Sequence, residues 1–551
     1  MNIALLDGYV DEPSVLGVPP YIGPYPRYIY GSIKLAGHKP IYITIDDIRK
    51  KSERANSIAN SKILVVTGGA IVPGKYLRTM PASIKELEKI VMNFKGIKFL
   101  TGPIARFSYT SREKIVREKF ATLFDYVIYN DADAVIYDFL TKKGFNDRQR
   151  TDAEWAKFSV AGAECVKEHF DYPVPLIVEI ETYRGCSRYI SGGCSFCTDI
   201  TYGAPRVRQI DEIVKEVETL YSLGIIFFRL GGQSCFISYM AKGLTEQEYP
   251  EPNPDAIKKL FIGIKNVAPK IKVLHLDNAN PAVIYRYPVP SREIVKTIVE
   301  YCTPGNVLAL GLESCDPVVA KANNLNTTPE ETLFAIQLFN KYGAERGSNG
   351  MPKLLPGINF VYGLTGERKE TYESNFAFLK EILSSNLLVR RINIRQVASI
   401  RKNFGRLKYP SQFIKFKRKV RQEIDNPMLK KILPVKTILR DIYMELNIGN
   451  VTFGRQIGTY PLLVGVPYKT ILNRFVDVKI TDYGERSVTG VEYPLSLNHT
   501  GYRQLCTIPG ISKKMAARIL RARPINDVES LKKCINDERT VREIMDYFIV
   551  D

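Results

Sequence analysis

The sequence predicts an α/β protein of several domains: a parallel sheet, then a partial (β/α) barrel, then a small β-barrel and paired helices. Three observations carry this. Short apolar runs alternate with helix-like stretches from residue 1 to about 145, the rhythm of a parallel sheet with crossover helices. A second strand–helix alternation runs from about 170 to 400. Beyond 400 the composition turns basic, and then the period shortens to strands between tight turns.

At 551 residues the chain has room for roughly three or four domains of about 150 residues. No run of about 20 apolar residues exists to span a membrane. The amino terminus, MNIALLDGYVDEP, is acidic where a signal peptide is basic, so the expected location is cytoplasmic. Nine cysteines, three of them clustered, fit reduced metal binding better than a disulfide framework. The net charge of +20 points to a polyanionic partner or to a generally lysine-rich surface.

In residues 1–165 the expected strands are Ile3–Leu6, Ile41–Ile45, Ile63–Val66, Ile97–Leu100 and Tyr126–Ile128, with a helix over Ala82–Phe94. Glycine turns follow the strand ends at Gly8, Gly68–Gly69 and Gly102, where open α/β sheets bind ligands. The prolines of Asp11–Arg27 (DEPSVLGVPPYIGPYPR) predict a stiff, irregular path that lines a ligand pocket or wraps the next domain.

The sharpest signal is Arg184–Gly203, RGCSRYISGGCSFCTDITYG, which follows the apolar run Pro175–Ile180. Cys186, Cys194 and Cys197 are soft ligands for zinc or an iron–sulfur cluster. Structural zinc wants four ligands, usually in two short pairs, and no second CxxC is present. A four-iron cluster on three cysteines leaves one iron open, which is the more economical reading.

A strand, a glycine-rich cysteine loop with an aromatic residue before the last cysteine (Phe196), and a helix resemble the radical S-adenosylmethionine (radical SAM) superfamily. The family spacing is CxxxCxxC; here seven residues separate Cys186 from Cys194. The resemblance implies a [4Fe-4S] cluster on Cys186, Cys194 and Cys197, S-adenosylmethionine (SAM) on its open iron, an electron donor, and reductive cleavage of SAM to a 5′-deoxyadenosyl radical. It also implies a core over 170–400. Phe196 and the turn Gly231-Gly232-Gln233 would then shape the SAM site, with Gln233 in place of the usual acid. Glu313, ending the run Val307–Glu313, and Arg395, in Arg391–Val397, are further candidate SAM contacts. Cys235 and Cys315 follow two of the strands and are candidates for the pocket mouth, against the ordinary role of small buried hydrophobes. His275 is expected to pack or hydrogen-bond.

The Rossmann-like sheet ahead of this core resembles the cobalamin-binding domains of class B radical SAM methylases. It lacks their Asp-x-His-x-x-Gly motif, its only histidine before residue 165 being His38. Either cobalamin binds with no protein ligand to cobalt or the domain has lost it.

Residues 401–450 read as a basic helical segment: Arg401 to Lys431 hold eleven lysines and arginines against two acids, interleaved with aromatics. Phosphate neutralisation and base stacking fit that mixture, as does one apolar stripe packed on the core. Residues 451–497 resemble the TRAM-type barrel appended to tRNA-modifying radical SAM enzymes, and 498–551 a helix-hairpin-helix. In that motif Gly510 shapes the hairpin offering backbone N–H groups to a phosphate, and Lys513, Lys514 and Arg518 add charge.

The whole arrangement resembles an archaeal set of Fe–S oxidoreductases. The expected activity is that of a transferase that methylates or similarly modifies a nucleoside in tRNA, rRNA or other structured RNA. One rival is a cobalamin-dependent radical methylase acting on a protein, lipid or metabolite; the other is a non-enzymatic Fe–S nucleic-acid-binding protein.

Overall fold

The computed structural model describes residues 1–71, 76–107 and 119–549. The amino-terminal sheet contains β1 (Asn2–Asp11), β3 (Lys39–Thr44), β4 (Ile63–Ala70), β5 (Ile97–Thr101) and β6 (Tyr126–Val127), all parallel, in the order β3-β1-β4-β5-β6. Each expected strand is present. The helix expected at Ala82–Phe94 spans Ile84–Met92, started by a reciprocal Ser83–Glu86 capping box.

The proline-rich segment behaves differently from its expected irregular path. Tyr21–Ile22 forms a short strand, β2, that pairs with the first core strand, Tyr21 opposite Ile177. Pro24 and Pro26 then open a helix, Pro24–Leu35. Proline is tolerated there because the first turn has no N–H bonds to lose. This helix packs directly against Asp152–Ala161: a Cβ on Gly31 would lie 2.2 Å from the Phe158 carbonyl oxygen, and one on Gly162 would lie 1.9 Å from that of Arg27. Only glycine permits that approach.

The core is a partial barrel of parallel strands. β2, β7 (Ile177–Glu181), β8 (Phe227–Gly231) and β9 (Val273–Leu276) form one sheet, and β10 (Asn278–Ala279), β11 (Asn306–Glu313), β12 (Leu354–Tyr362) and β13 (Arg391–Gln396) form the other. The third barrel strand is thus split at Asp277 into β9 and β10. Asp277 is buried there, its carboxylate paired with Arg229.

Beyond the core, helices Pro410–Val420 and Asn426–Ile432 flank one π-helical turn, Arg421–Asp425. Phe413, Phe416 and Val420 form the apolar stripe and are buried. The closed barrel then begins at Ile438, not at 451: β14 (Ile438–Ile448), β15 (Val451–Gln456), β16 (Leu463–Val466), β18 (Ser487–Glu492) and β17 (Phe475–Tyr483), in that order around it. The first strand was hidden because it carries Arg440, Asp441 and Glu445 straight after a basic helical stretch, and its pairing partners lie downstream.

This barrel plugs the lower mouth of the core. Ile457 packs with Ile177, Phe227 and Val273 at the amino ends of three core strands. Tyr21 donates its hydroxyl to the carbonyls of Gly458 (2.5 Å) and Thr459 (2.9 Å). Thr459 donates its N–H to His275 Nδ1 at 3.0 Å and its hydroxyl to the Leu276 carbonyl at 3.2 Å. The last residues form helices Tyr502–Leu505, Lys513–Arg521, Val528–Ile535 and Glu538–Met545.

Candidate functional site

The cysteine loop is built around the seven-residue gap. After Cys186 the chain makes a short 3-10 helix, Ser187–Ser191, and leaves it through Gly192 (φ 78°) and Gly193 (φ 58°), both left-handed. The extra residues are therefore one helical turn, with glycines to reverse it. Asn324 pins that turn, its Nδ2 donating to the carbonyls of Ser191 and Gly193, each at 3.0 Å. Asn323 Oδ1 accepts from the Ser195 hydroxyl at 2.9 Å, and its carbonyl accepts from Ser195 N–H at 3.0 Å.

Two arginines close the loop. Arg188 donates to Cys194 Sγ at 3.1 Å and to the Asn324 carbonyl at 2.8 Å, while its Nε is held by Glu248 at 2.7 Å. Arg401 donates to the carbonyls of Cys194 (2.8 Å) and Cys197 (3.2 Å). The basic segment thus starts by sealing the cysteine loop.

Cys186, Cys194, Cys197 and Phe196 all line one cavity of about 520 Å³ at the carboxyl ends of the core strands. Burial pushes the Cys186 thiol up to about 11 and Cys194 to about 12, and raises Cys197 well above the ordinary thiol range. Buried thiols become thiolates only against a positive partner, and a metal cluster supplies one. Among the described residues no group of three or more His, Cys, Asp or Glu is arranged to hold a single metal ion. Three soft donors facing one roomy cavity fit a multi-iron cluster with an open position better than mononuclear zinc.

Glu313 and Arg395 line the same cavity. Glu313 ends β11 at φ 65°, a left-handed conformation that turns it out of the strand. Burial raises its carboxyl to about 8, with Arg395 opposing the shift. The turn Gly231-Gly232-Gln233 is placed otherwise: none of the three lines the cavity, and Ser234 and Cys235 do. Gln233 is buried, accepting from the Thr182 hydroxyl at 3.0 Å and donating to the Leu230 carbonyl at 3.2 Å. A Cβ on Gly231 would lie 2.2 Å from Glu179 Oε1, so this glycine makes room for the buried Glu179–Arg229–Asp277 triad. Gly232 N–H donates to the Ser14 carbonyl at 2.8 Å, docking the amino-terminal segment.

Cys235 faces the cavity, its sulfur accepting from Asn280 N–H at 3.2 Å, whereas Cys315 does not line it. His275 is buried and spent on the plug, as its expected bland role required. Pro13 and Ile71 of the amino-terminal domain reach the cavity wall, as do Phe413 and Lys417 of the basic helix and Tyr460 of the barrel. Tyr460 stacks on the Arg391 guanidinium at 3.8 Å. Sequence reasoning missed Arg188, Asn323, Asn324, Arg401 and Tyr460; the Asn-Asn pair after a short helix was the one available signal.

Gly510 sits at φ 89° in the turn before helix Lys513–Arg521, whose start is capped by Ser512 on Met515 N–H at 3.2 Å. Lys513, Lys514 and Arg518 are exposed and outside the cavity lining. No described helix is long and apolar enough to cross a membrane.

The profile described as the radical SAM superfamily matches residues 180–374. An uncharacterised protein of Methanocaldococcus jannaschii is 48% identical over 507 residues, 88% of this chain and 92% of its own. An uncharacterised protein of Archaeoglobus fulgidus is 42% identical over 540 residues, 97% of each. Among solved structures, the radical SAM methyltransferase TsrM of Kitasatospora setae, with tryptophan and a SAM analogue bound, aligns over 71% of this chain and 72% of its own (13% identity, TM-score 0.46). The cobalamin-dependent SAM radical enzyme OxsB aligns over 79% and 57% (14% identity, TM-score 0.49). By its profile match, its cysteine loop and its near-full-length archaeal relatives, the chain belongs to the radical SAM superfamily.

Proposed function

We propose that this radical SAM enzyme modifies a nucleoside in structured RNA, adding a methyl or related group. The carrying observation is the route of the basic segment. It begins at Arg401 on the carbonyls of the cysteine loop and reaches the cavity wall with Phe413 and Lys417, while Lys415, Arg418 and Lys419 of the same helix face solvent. A polyanion following that charge is led to the cavity.

Cys186, Cys194 and Cys197 would hold the [4Fe-4S] cluster, which supplies the electron that cleaves SAM. Arg188 and Arg401 screen the negative charge of the loop, and the Asn323–Asn324 pair fixes its curvature. Glu313 and Arg395 offer opposite charges to a zwitterionic ligand. Tyr460 floors the chamber beneath Arg391.

Cobalamin is the group on which the methylase reading of the amino-terminal domain turns. Among the described residues no side chain of the sheet supplies a cobalt ligand: His38 is half-buried just before β3 and meets the terminal amine of Met1. The ligand-free form is the one the layout admits, since Pro13 and Ile71 bring the domain to the cavity wall.

The test is mass spectrometry of tRNA and rRNA nucleosides from a strain lacking the gene. A modified nucleoside should vanish and return with the wild-type gene but not with Cys194→Ala. If no RNA nucleoside changes, RNA is not the substrate.

A further inference from the structure

Away from the cavity, three arginines gather at one seam. Arg390 stands at the start of β13, Arg421 begins the π-helical turn, and Arg486 is in the hairpin between β17 and β18. Arg390 and Arg486 line a small pocket of about 20 Å³ with Asp425. Asn426 Nδ2 donates to the Gly484 carbonyl at 2.9 Å, fixing the hairpin against the helix.

The charges there do not balance. Arg421 is paired with Asp425 and also donates to the Ile392 carbonyl. The guanidinium groups of Arg390 and Arg486 make no hydrogen bond or ion pair among the described residues, and Arg390 Nε is buried. Other arginines with a buried Nε are unlike this: Arg27 and Arg208 place terminal nitrogens on Glu216, and Arg229 on Glu179 and Asp277. Burial lowers Arg390 to about 10, the positive charge of Arg486 adding to the effect.

Three guanidinium groups against one carboxylate leave a net charge of about +2; Arg486 keeps its contact with solvent, but Arg390 and Arg421 are largely withdrawn from it, and a counter-ion would offset the cost of that desolvation. Guanidinium forks match tetrahedral oxyanions. A π-helical turn is an uncommon distortion, frequent at functional sites, and here it carries both Arg421 and Asp425. Exposed Lys430 and Lys431 follow on the next helix.

We propose that Arg390, Arg486 and Arg421 form a binding pocket for a phosphate oxyanion, and that its source is one backbone phosphate of the RNA. The second half rests on the proposed function; the first does not.

The experiment uses the full-length protein. Thermal unfolding is followed while inorganic phosphate replaces chloride at constant ionic strength, for the wild type and for an Arg390→Met, Arg486→Met double variant. The wild-type midpoint should rise and saturate with phosphate. The variant should fold, lose that response, and be no less stable than the wild type in chloride, because it drops two unpaired charges. Binding of tRNA across a salt series should weaken at least about tenfold in the variant, with the slope of log K against log salt smaller by about one. A wild type indifferent to phosphate, or a variant that still responds, would overturn the pocket. Lost phosphate response with unchanged tRNA binding would overturn RNA as the source while leaving the pocket. A phosphate response in a protein that binds no RNA would sink the RNA reading alone.

Discussion

Replacing His275 with alanine should loosen the joint between core and plug in a way that depends on pH. At neutral pH the wild-type imidazole accepts from Thr459 N–H, and its ring fills the space where a Cβ on Gly458 would come within 2.7 Å. Its loss leaves a buried N–H unpaired, at about 1–3 kcal/mol, and a cavity costing about 1 kcal/mol more. The variant should therefore be about 2–4 kcal/mol less stable near pH 7.5. Burial holds the folded imidazole down near 4, against an ordinary 6.5. Between those values the unfolded chain binds the extra proton, so wild-type stability falls as pH drops through that window. By pH 4.5 the wild type loses about 2.7 kcal/mol that the variant cannot lose, at about 1.4 kcal/mol per pH unit. The gap should close to about 1 kcal/mol or less. Glu179 and Asp277 shift the opposite way, up to about 8 and about 6, so the readout is the difference between the two proteins and not either curve alone. Denaturant melts of the metal-free proteins from pH 4.5 to 7.5 give that difference. A gap that stays constant with pH would refute a neutral, hydrogen-bonded His275.

Arg188→Gln removes the donor to Cys194 Sγ and should cost about 10–100-fold in cluster retention or activity, read as iron and sulfide content after anaerobic reconstitution. Glu313→Gln should flatten the pH dependence of SAM affinity between pH 7 and 9. The wild-type carboxyl, raised to about 8, ionises across that range and should bind the sulfonium ligand more tightly as it does; equal pH profiles for the two proteins would remove Glu313 from the SAM site. Lys513→Ala, Lys514→Ala and Arg518→Ala together should lower tRNA affinity and its salt slope by about one while leaving the unfolding midpoint in place, since all three are exposed.

Most strands of the parallel sheets were legible as short apolar runs bounded by turns, the signature that buried parallel strands leave, whereas Tyr21–Ile22 in its proline-rich stretch was not. The three cysteines stood out by their clustering, and Phe196, Glu313 and Arg395 came from the family resemblance; all of them line one cavity. Gln233 shows the limit: position after a strand does not say which way a side chain turns, and the contacts that turn it, Thr182 and Leu230, lie elsewhere in the chain. Arg401 and Tyr460 were invisible for the same reason on a larger scale. Each reaches the site from a segment read as a separate domain, and nothing local in either sequence marks that return.

That return changes how the carboxyl-terminal part must be probed. Removing residues from 452 onward would strip β14 of its partner β15 and uncover Ile177, Phe227 and Val273. It would also orphan the Tyr21 hydroxyl and His275 Nδ1. Loss of the proposed RNA binding on such a truncation would report only the loss of the core. The barrel closes the reaction chamber from below with Tyr460, while the helix before it opens toward solvent with Lys415, Arg418 and Lys419. One stretch of chain thus both completes the chamber and carries the positive charge that leads to it. Substitutions on exposed cations separate those two roles, because they remove charge and leave the plug packed.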